Sequence, residues 1–262
     1  FCSKNYAPIL PRLREITDRY RTYFHYTITA YGKDIEPGVP SIDDSIKTLI
    51  ELEKIVGKNR ISWRYDPVLL TKDYTVGRHL ETFACMAERL APHIDRCIFS
   101  FVEMYKKLET NMPELIPLSA ADKEKLAEGL GRIAAKYDIW LQTCGTNGDF
   151  TRCGIHPSGC ATLEILGKAN GCEFREIRHK GLREGCRCIE SRDIGAYDTC
   201  LNGCKYCYAN KSPQKARDNY RLHDPDSPLL LGHLKEGDVL TDGNQRSFLR
   251  SVGRQSSLFD GE

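Results

Sequence analysis

Tyr23-Phe24-His25-Tyr26-Thr27-Ile28-Thr29 is a run of aromatic and β-branched residues and reads as a strand. Ser41 then opens an S-x-x-D start in the manner of a capping box. Ile42, Ile46, Leu49, Ile50 and Val56 follow it at helical spacing. The alternation repeats along the first half of the chain. Ile61-Ser62-Trp63-Arg64-Tyr65 reads as a second strand, stopped by Asp66-Pro67. Val76, Leu80, Phe83, Ala84, Ala87 and Leu90 mark a second helix, with Cys85 assigned to its apolar face. Cys97-Ile98-Phe99-Ser100-Phe101-Val102 is a third strand. Ser119-Ala120-Ala121-Asp122 starts a helix carrying Leu126, Leu130, Ile133 and Ala134. Asp138-Ile139-Trp140-Leu141-Gln142-Thr143-Cys144 is the next strand, and Phe1-Cys2 reads as the tail of another. Crossovers of this length imply parallel strands joined by right-handed βαβ units. The expected class is α/β, as a (β/α) barrel or part-barrel, with an open doubly wound sheet as the alternative. No G-x-G-x-x-G follows a strand, which argues against a dinucleotide-binding version.

The totals fit this class. A chain of 262 residues, 40% hydrophobic and 28% charged, can bury a full core. The net charge of +2 gives no global electrostatic drive toward nucleic acid or membrane. No apolar run approaches the ~20 residues that span a bilayer, and no signal peptide is visible. The expected location is therefore cytoplasmic. The chain begins at Phe1 without an initiator Met, so a preceding segment is expected.

Of twelve cysteines, nine fall between Cys144 and Cys207, where the strand–helix pattern ends. Secreted disulfide frameworks are small and loop-rich, whereas this chain has long amphipathic segments, so a cytosolic metalloprotein is the better reading. Residues 1–144 form the (β/α) unit on this reading. Residues 145–243 form a Cys-rich, loop-rich segment wrapping it, and residues 244–262 a polar, flexible tail. Ala161–Ala169 is a short helix-like piece. Residues 211–243, with Pro213, Pro225 and Pro228, read as loop. Metal ligation would hold what apolar packing cannot.

Cys200-Leu201-Asn202-Gly203-Cys204-Lys205-Tyr206-Cys207 is C-x3-C-x2-C with an aromatic before the third cysteine. Three thiolates so spaced can hold three irons of a four-iron cube and leave the fourth iron open. A zinc site completed by a distant residue such as His223 is the alternative. The motif resembles the signature of radical S-adenosylmethionine (SAM) enzymes. More narrowly, the block from Cys186-Arg187-Cys188 to Cys207-Tyr208-Ala209 is similar to an uncharacterised bacterial family catalogued as Domain of Unknown Function 1848. Arg64-Tyr65-Asp66-Pro67, Ser100-Phe101-Val102 and Asp224-Pro225-Asp226-Ser227-Pro228 resemble it too.

The resemblance implies a TIM-like part-barrel of about six strands in the complete protein. It places the first strand upstream of Phe1. It also implies a [4Fe-4S] cluster on Cys200, Cys204 and Cys207 that binds S-adenosylmethionine and reductively cleaves it. The resulting 5′-deoxyadenosyl radical would act on a substrate left unidentified. A flavodoxin or ferredoxin would donate the electron. Tyr206 would pack near the adenine, or serve only in the core. Ordinary radical SAM proteins carry the motif after the first strand; here it follows the barrel-like part. A radical site therefore requires that the tail fold back onto the strand ends.

Polar residues at four strand ends mark the expected site. Arg64, Asp66 and Glu103 are the catalytic candidates, and Thr27, Thr29, Ser100, Gln142 and Thr143 line the cofactor. Arg64 could clamp a carboxylate, or simply pair with Asp66 or Glu103. Asp66 could merely shape the turn before Pro67. Cys144, Cys160, Cys186 and Cys188 match the family pattern and form a candidate second site for an iron–sulfur cluster or zinc. A non-catalytic metal-binding protein and an electron-transfer module are the rival classes. Gln255-Ser256-Ser257-Leu258-Phe259 is similar to the Q-x-x-L-F peptide that docks on the bacterial replication sliding clamp.

Overall fold

The computed structural model describes residues 1–145, 148–177, 185–243 and 247–250. Among these residues six strands, β1 (Cys2–Ser3), β2 (Phe24–Thr27), β3 (Ile61–Val68), β4 (Arg96–Phe101), β5 (Trp140–Thr143) and β6 (His156–Pro157), form one sheet in sequence order. Every neighbouring pair is parallel. The order never reverses, so the sheet lacks the switch point of a doubly wound fold. It is also open, with β1 and β6 as its edges. The expected alternation and parallel pairing are observed; closure into a barrel is not, among the described residues.

Among the described residues seven α-helices accompany the sheet: α1 (Leu13–Thr17), α2 (Ile42–Val56), α3 (Val76–Leu90), α4 (Lys106–Asn111), α5 (Ala120–Lys136), α6 (Leu163–Asn170) and α7 (Pro213–Tyr220). The long ones begin where short oxygen-bearing side chains can satisfy free amides. Ser41, Thr75 and Ser119 accept from the third residue on, and Ser119 with Asp122 completes a capping box. Each cap is worth about 1 kcal/mol.

Strand periodicity sorts the sheet into two unlike faces. Phe24 and Tyr26, Ile61, Trp63 and Tyr65, Cys97 and Phe99, and Leu141 point to one side. They pack with Leu49 and Leu52 of α2, Phe83 and Leu90 of α3, and Leu126 and Leu130 of α5. Trp63 is completely buried, with its indole stacked at 4.7 Å on Phe83 and its N–H donating to the Ile28 carbonyl at 2.9 Å. Sequential strands joined by right-handed crossovers place their helices on a single side. The opposite face bears the alternate residues in register, most of them polar: His25 beside Ser62, and Thr27, Arg64 and Gln142 in one row with Ile98.

Several details differ from the sequence reading, among them the following. Strand β3 does not stop at Asp66-Pro67 but runs to Val68, through an irregular register between Tyr65 and Val68. The missing proline N–H is tolerated at such a bulge. Pro213 does not mark a loop; it opens α7, where a proline N–H has no helical partner to lose. Cys85 is exposed, because α3 turns Phe83, Met86, Ala87 and Leu90 inward and leaves position 85 on the far side.

Candidate functional site

The polar face of the sheet is not left to water. Residues after β5 return across it and bring cysteines with them. Cys144 follows the end of β5, Cys160 follows β6, and Cys188 lies on a stretch whose neighbour Ile189 donates to the Ala161 carbonyl at 3.0 Å. The three sulfurs lie within 4.8 Å of one another. Cys144 and Cys160 are in contact at 2.8 Å, and the Cys188 sulfur accepts from the Cys160 amide at 3.2 Å. Ile98 of β4 packs beneath them.

The protons of this cluster are unevenly shared. Hydrogen bonds from Cys144 and Cys160 hold the Cys188 thiol far below its usual range. Donation to Cys144 and Cys188, with burial, drives Cys160 the other way. Three cysteines grouped this closely could hold a metal ion, which would displace their protons. Cys186 lies outside the group of three.

Arg64 connects this cluster to the strand ends. Its Nη1 is 3.5 Å from the Cys160 sulfur, and its other amino group pairs with Asp66. Asp66 also accepts from Ser100. Burial pushes the Asp66 carboxyl up, but Arg64 and the Ser100 hydrogen bond outweigh it and hold the group below its usual range. The paired reading of Arg64 is thus the one observed. Gln142 is fully buried and engaged at both ends of its amide, accepting from Arg96 and donating to the Gly159 carbonyl at 2.9 Å. It fixes the returning loop. Thr143 pairs with Phe99 and so faces the helix side, away from Arg64. Glu103 is exposed just beyond β4.

The Cys200–Cys207 loop lies at the carboxyl ends of the strands. Its backbone bonds to the connection after β2: Gly38 N–H to the Asn202 carbonyl at 2.8 Å, and Lys205 N–H to the Ile35 carbonyl at 3.0 Å. From the connection after β4, Tyr105 donates to the Tyr206 carbonyl and Lys107 reaches the Cys207 carbonyl at 2.9 Å. Tyr206 is buried against Tyr31, Ile35, Leu69 and Leu108. Its hydroxyl donates to Glu36, itself only 2% exposed. Glu36 also accepts from Thr29 at 2.7 Å and Lys4 at 2.9 Å. Burial, then the Glu36 charge, pushes the Tyr206 hydroxyl well up.

Cys204 is pushed up to about 12, by burial first and by Glu36 second. Cys200 is exposed, while Cys204 and Cys207 are half-buried. Their sulfurs are not among the described groups close enough to share one ion. A cube spreads its ligands, because each sulfur binds a different iron. Glu36 and Lys4 carried no motif in the sequence. The Gln255–Phe259 peptide lies outside the described residues.

An open, singly wound parallel α/β sheet with a thiol triad across its polar face, able to hold a metal ion, is the class this geometry defines. The chain belongs to the family described as Domain of unknown function (DUF1848), whose model matches residues 1–209. No curated protein and no solved structure matches it. Among the described residues, no helix is long and apolar enough to cross a membrane.

Proposed function

We propose that the protein is a cytoplasmic iron–sulfur enzyme of the radical SAM type, with Cys200, Cys204 and Cys207 holding a [4Fe-4S] cluster. The docking of the 200–207 loop on the connections after β2 and β4 carries this reading. A motif that arrives late in the chain nevertheless stands where parallel α/β sheets place their chemistry. On this reading the open sheet is part of a TIM-like (β/α) barrel, and its polar face is the barrel interior. When bound, the cluster supplies the electron that cleaves S-adenosylmethionine to methionine and a 5′-deoxyadenosyl radical.

The chain's own residues position and shield. Tyr206 and Glu36 lock the cysteine loop to the sheet. Lys4, 5.6 Å from the Tyr206 ring centre, offsets the buried charge of Glu36. The Tyr206 ring is committed to the core, so it acts by holding the loop rather than by stacking on adenine. On this reading Arg64, Asp66 and Glu103 would act on the substrate, and Thr27 lies beside Arg64 on the sheet. A flavodoxin or ferredoxin would reduce the cluster.

Anaerobic reconstitution tests the proposal. The protein should take up about four irons and four sulfides at this loop. Its reduced EPR signal should change on adding S-adenosylmethionine, and dithionite should release 5′-deoxyadenosine. Cys204→Ala should abolish all three while preserving the far-UV circular dichroism spectrum. A cluster indifferent to S-adenosylmethionine would defeat catalysis and leave a metal-binding or electron-transfer protein. The thiol triad, considered by itself, favours that second class.

A further inference from the structure

We propose that Cys144, Cys160 and Cys188 bind one thiophilic divalent ion, zinc, rather than a second iron–sulfur cluster. The inference is independent of the role given to Cys200, Cys204 and Cys207.

Sulfur spacing separates the two chemistries. A single zinc at ~2.3 Å from each thiolate sets its sulfurs about 3.8 Å apart, the edge of a tetrahedron. A cube sets them further apart, since each occupies its own corner. All three observed sulfurs lie within 4.8 Å of one another, close enough to share a single ion and closer than the separate corners of a cube would set them. Burial fits as well. Cys144 and Cys160 are 7% and 8% exposed and sit on Ile98, a dry floor that would strengthen thiolate–metal attraction.

Charge is also provided for. Three thiolates around a divalent cation leave one net negative charge, and the Arg64 guanidinium lies 3.5 Å from Cys160 to meet it. Asp66 holds Arg64 from the other side. The outer partner of the ion is therefore in place.

The ligands come from three separate places: the end of β5, the loop after β6 and the 185–189 stretch. Zinc would join them as a clamp and fasten the Cys-rich segment across the polar face. Hydrogen bonds help, but few apolar residues do.

The test is metal content of the full-length protein, measured beside thiol mapping. After zinc reconstitution, about one zinc per chain is expected in the Cys204→Ala variant, and its loss in Cys160→Ser and in Cys188→Ser. In the wild type, zinc should protect Cys144, Cys160 and Cys188 from alkylation, as read by peptide mass mapping, and a strong chelator should abolish that protection. The wild-type measurement stands even where a serine variant does not fold. Cobalt in place of zinc should give a thiolate charge-transfer band. Iron and labile sulfide at these cysteines in Cys204→Ala protein would overturn the assignment, as would unprotected thiols after zinc loading. Neither result depends on cleavage of S-adenosylmethionine.

Discussion

The Tyr206 hydroxyl donates to the buried carboxylate of Glu36 across 170 positions of the chain. The bond fastens the cysteine loop to the connection after β2. Tyr206→Phe removes that donor and leaves Glu36 with Thr29 and Lys4, so a loss of about 1–2 kcal/mol is expected. The loss should be local. Hydrogen exchange should quicken in residues 198–210 and stay unchanged in β3 and β4. Uniform quickening would show that the bond supports the whole sheet instead.

Arg64 and Asp66 form an ion pair with side chains 17% and 18% exposed. Asp66→Asn leaves a guanidinium mostly out of water without its counter-charge, and should cost about 3 kcal/mol in urea melts. Arg64→Met combined with Asp66→Leu should cost less than the single change, because no charge is then stranded. A double-mutant cycle without that coupling would contradict the pairing.

His79 is buried between the Tyr65 hydroxyl at 2.6 Å and the Leu69 carbonyl at 2.8 Å. Burial lowers its pKa from 6.5 to about 4. Between those values the unfolded chain binds the proton and the folded chain does not, so stability rises with pH across the window. Acidification from pH 6.5 to pH 4 should remove about 3 kcal/mol from this residue alone. His79→Gln should flatten that part of the pH–stability curve, whatever it does to stability at neutral pH.

Gly38 and Gly159 each allow one backbone to lie against another. A Cβ on Gly38 would stand 2.8 Å from the Asn202 Cα, and one on Gly159 would stand 2.6 Å from the Arg187 carbonyl oxygen. Gly38→Ala should therefore impair iron loading at Cys200, Cys204 and Cys207 while sparing zinc at the triad. Gly159→Ala should do the reverse. Loss of both metals from either variant would show the two regions to be one cooperative unit.

Much of the scaffold was legible in the sequence. Val76, Leu80, Phe83 and Leu90 announced α3 by their period, and Ser119-Ala120-Ala121-Asp122 announced α5 by its cap. These are local signals, written within a turn or two of helix. Strand lengths were less legible, since Asp66-Pro67 is an ordinary stop signal that β3 overrides through a bulge. Helix α7 was hidden because its opening proline is also a common loop residue.

The site divides along the same line. Thr27, Arg64 and Gln142 were found as polar residues on strands, and the register places them in one row. Thr143 went to the other face because one residue of strand reverses a side chain. Glu36 and Lys4 were invisible, since a buried acid acquires meaning only from Thr29, Lys4 and Tyr206 converging on it.

By itself, the sequence determined the parallel α/β alternation, its helix caps, the family and a set of cysteines spaced for metal. Those properties follow from near neighbours and periodicity. Only the tertiary structure decided which cysteines meet. Cys144 and Cys160 come into contact because Gln142 holds the loop after β6 across the polar face, and Cys188 joins them along the 159–161 backbone. Cys200, Cys204 and Cys207 reach the strand ends because Tyr206 finds a buried carboxylate there. Such meetings depend on long-range closure, whose cost is met by contacts that no local stretch of chain contains.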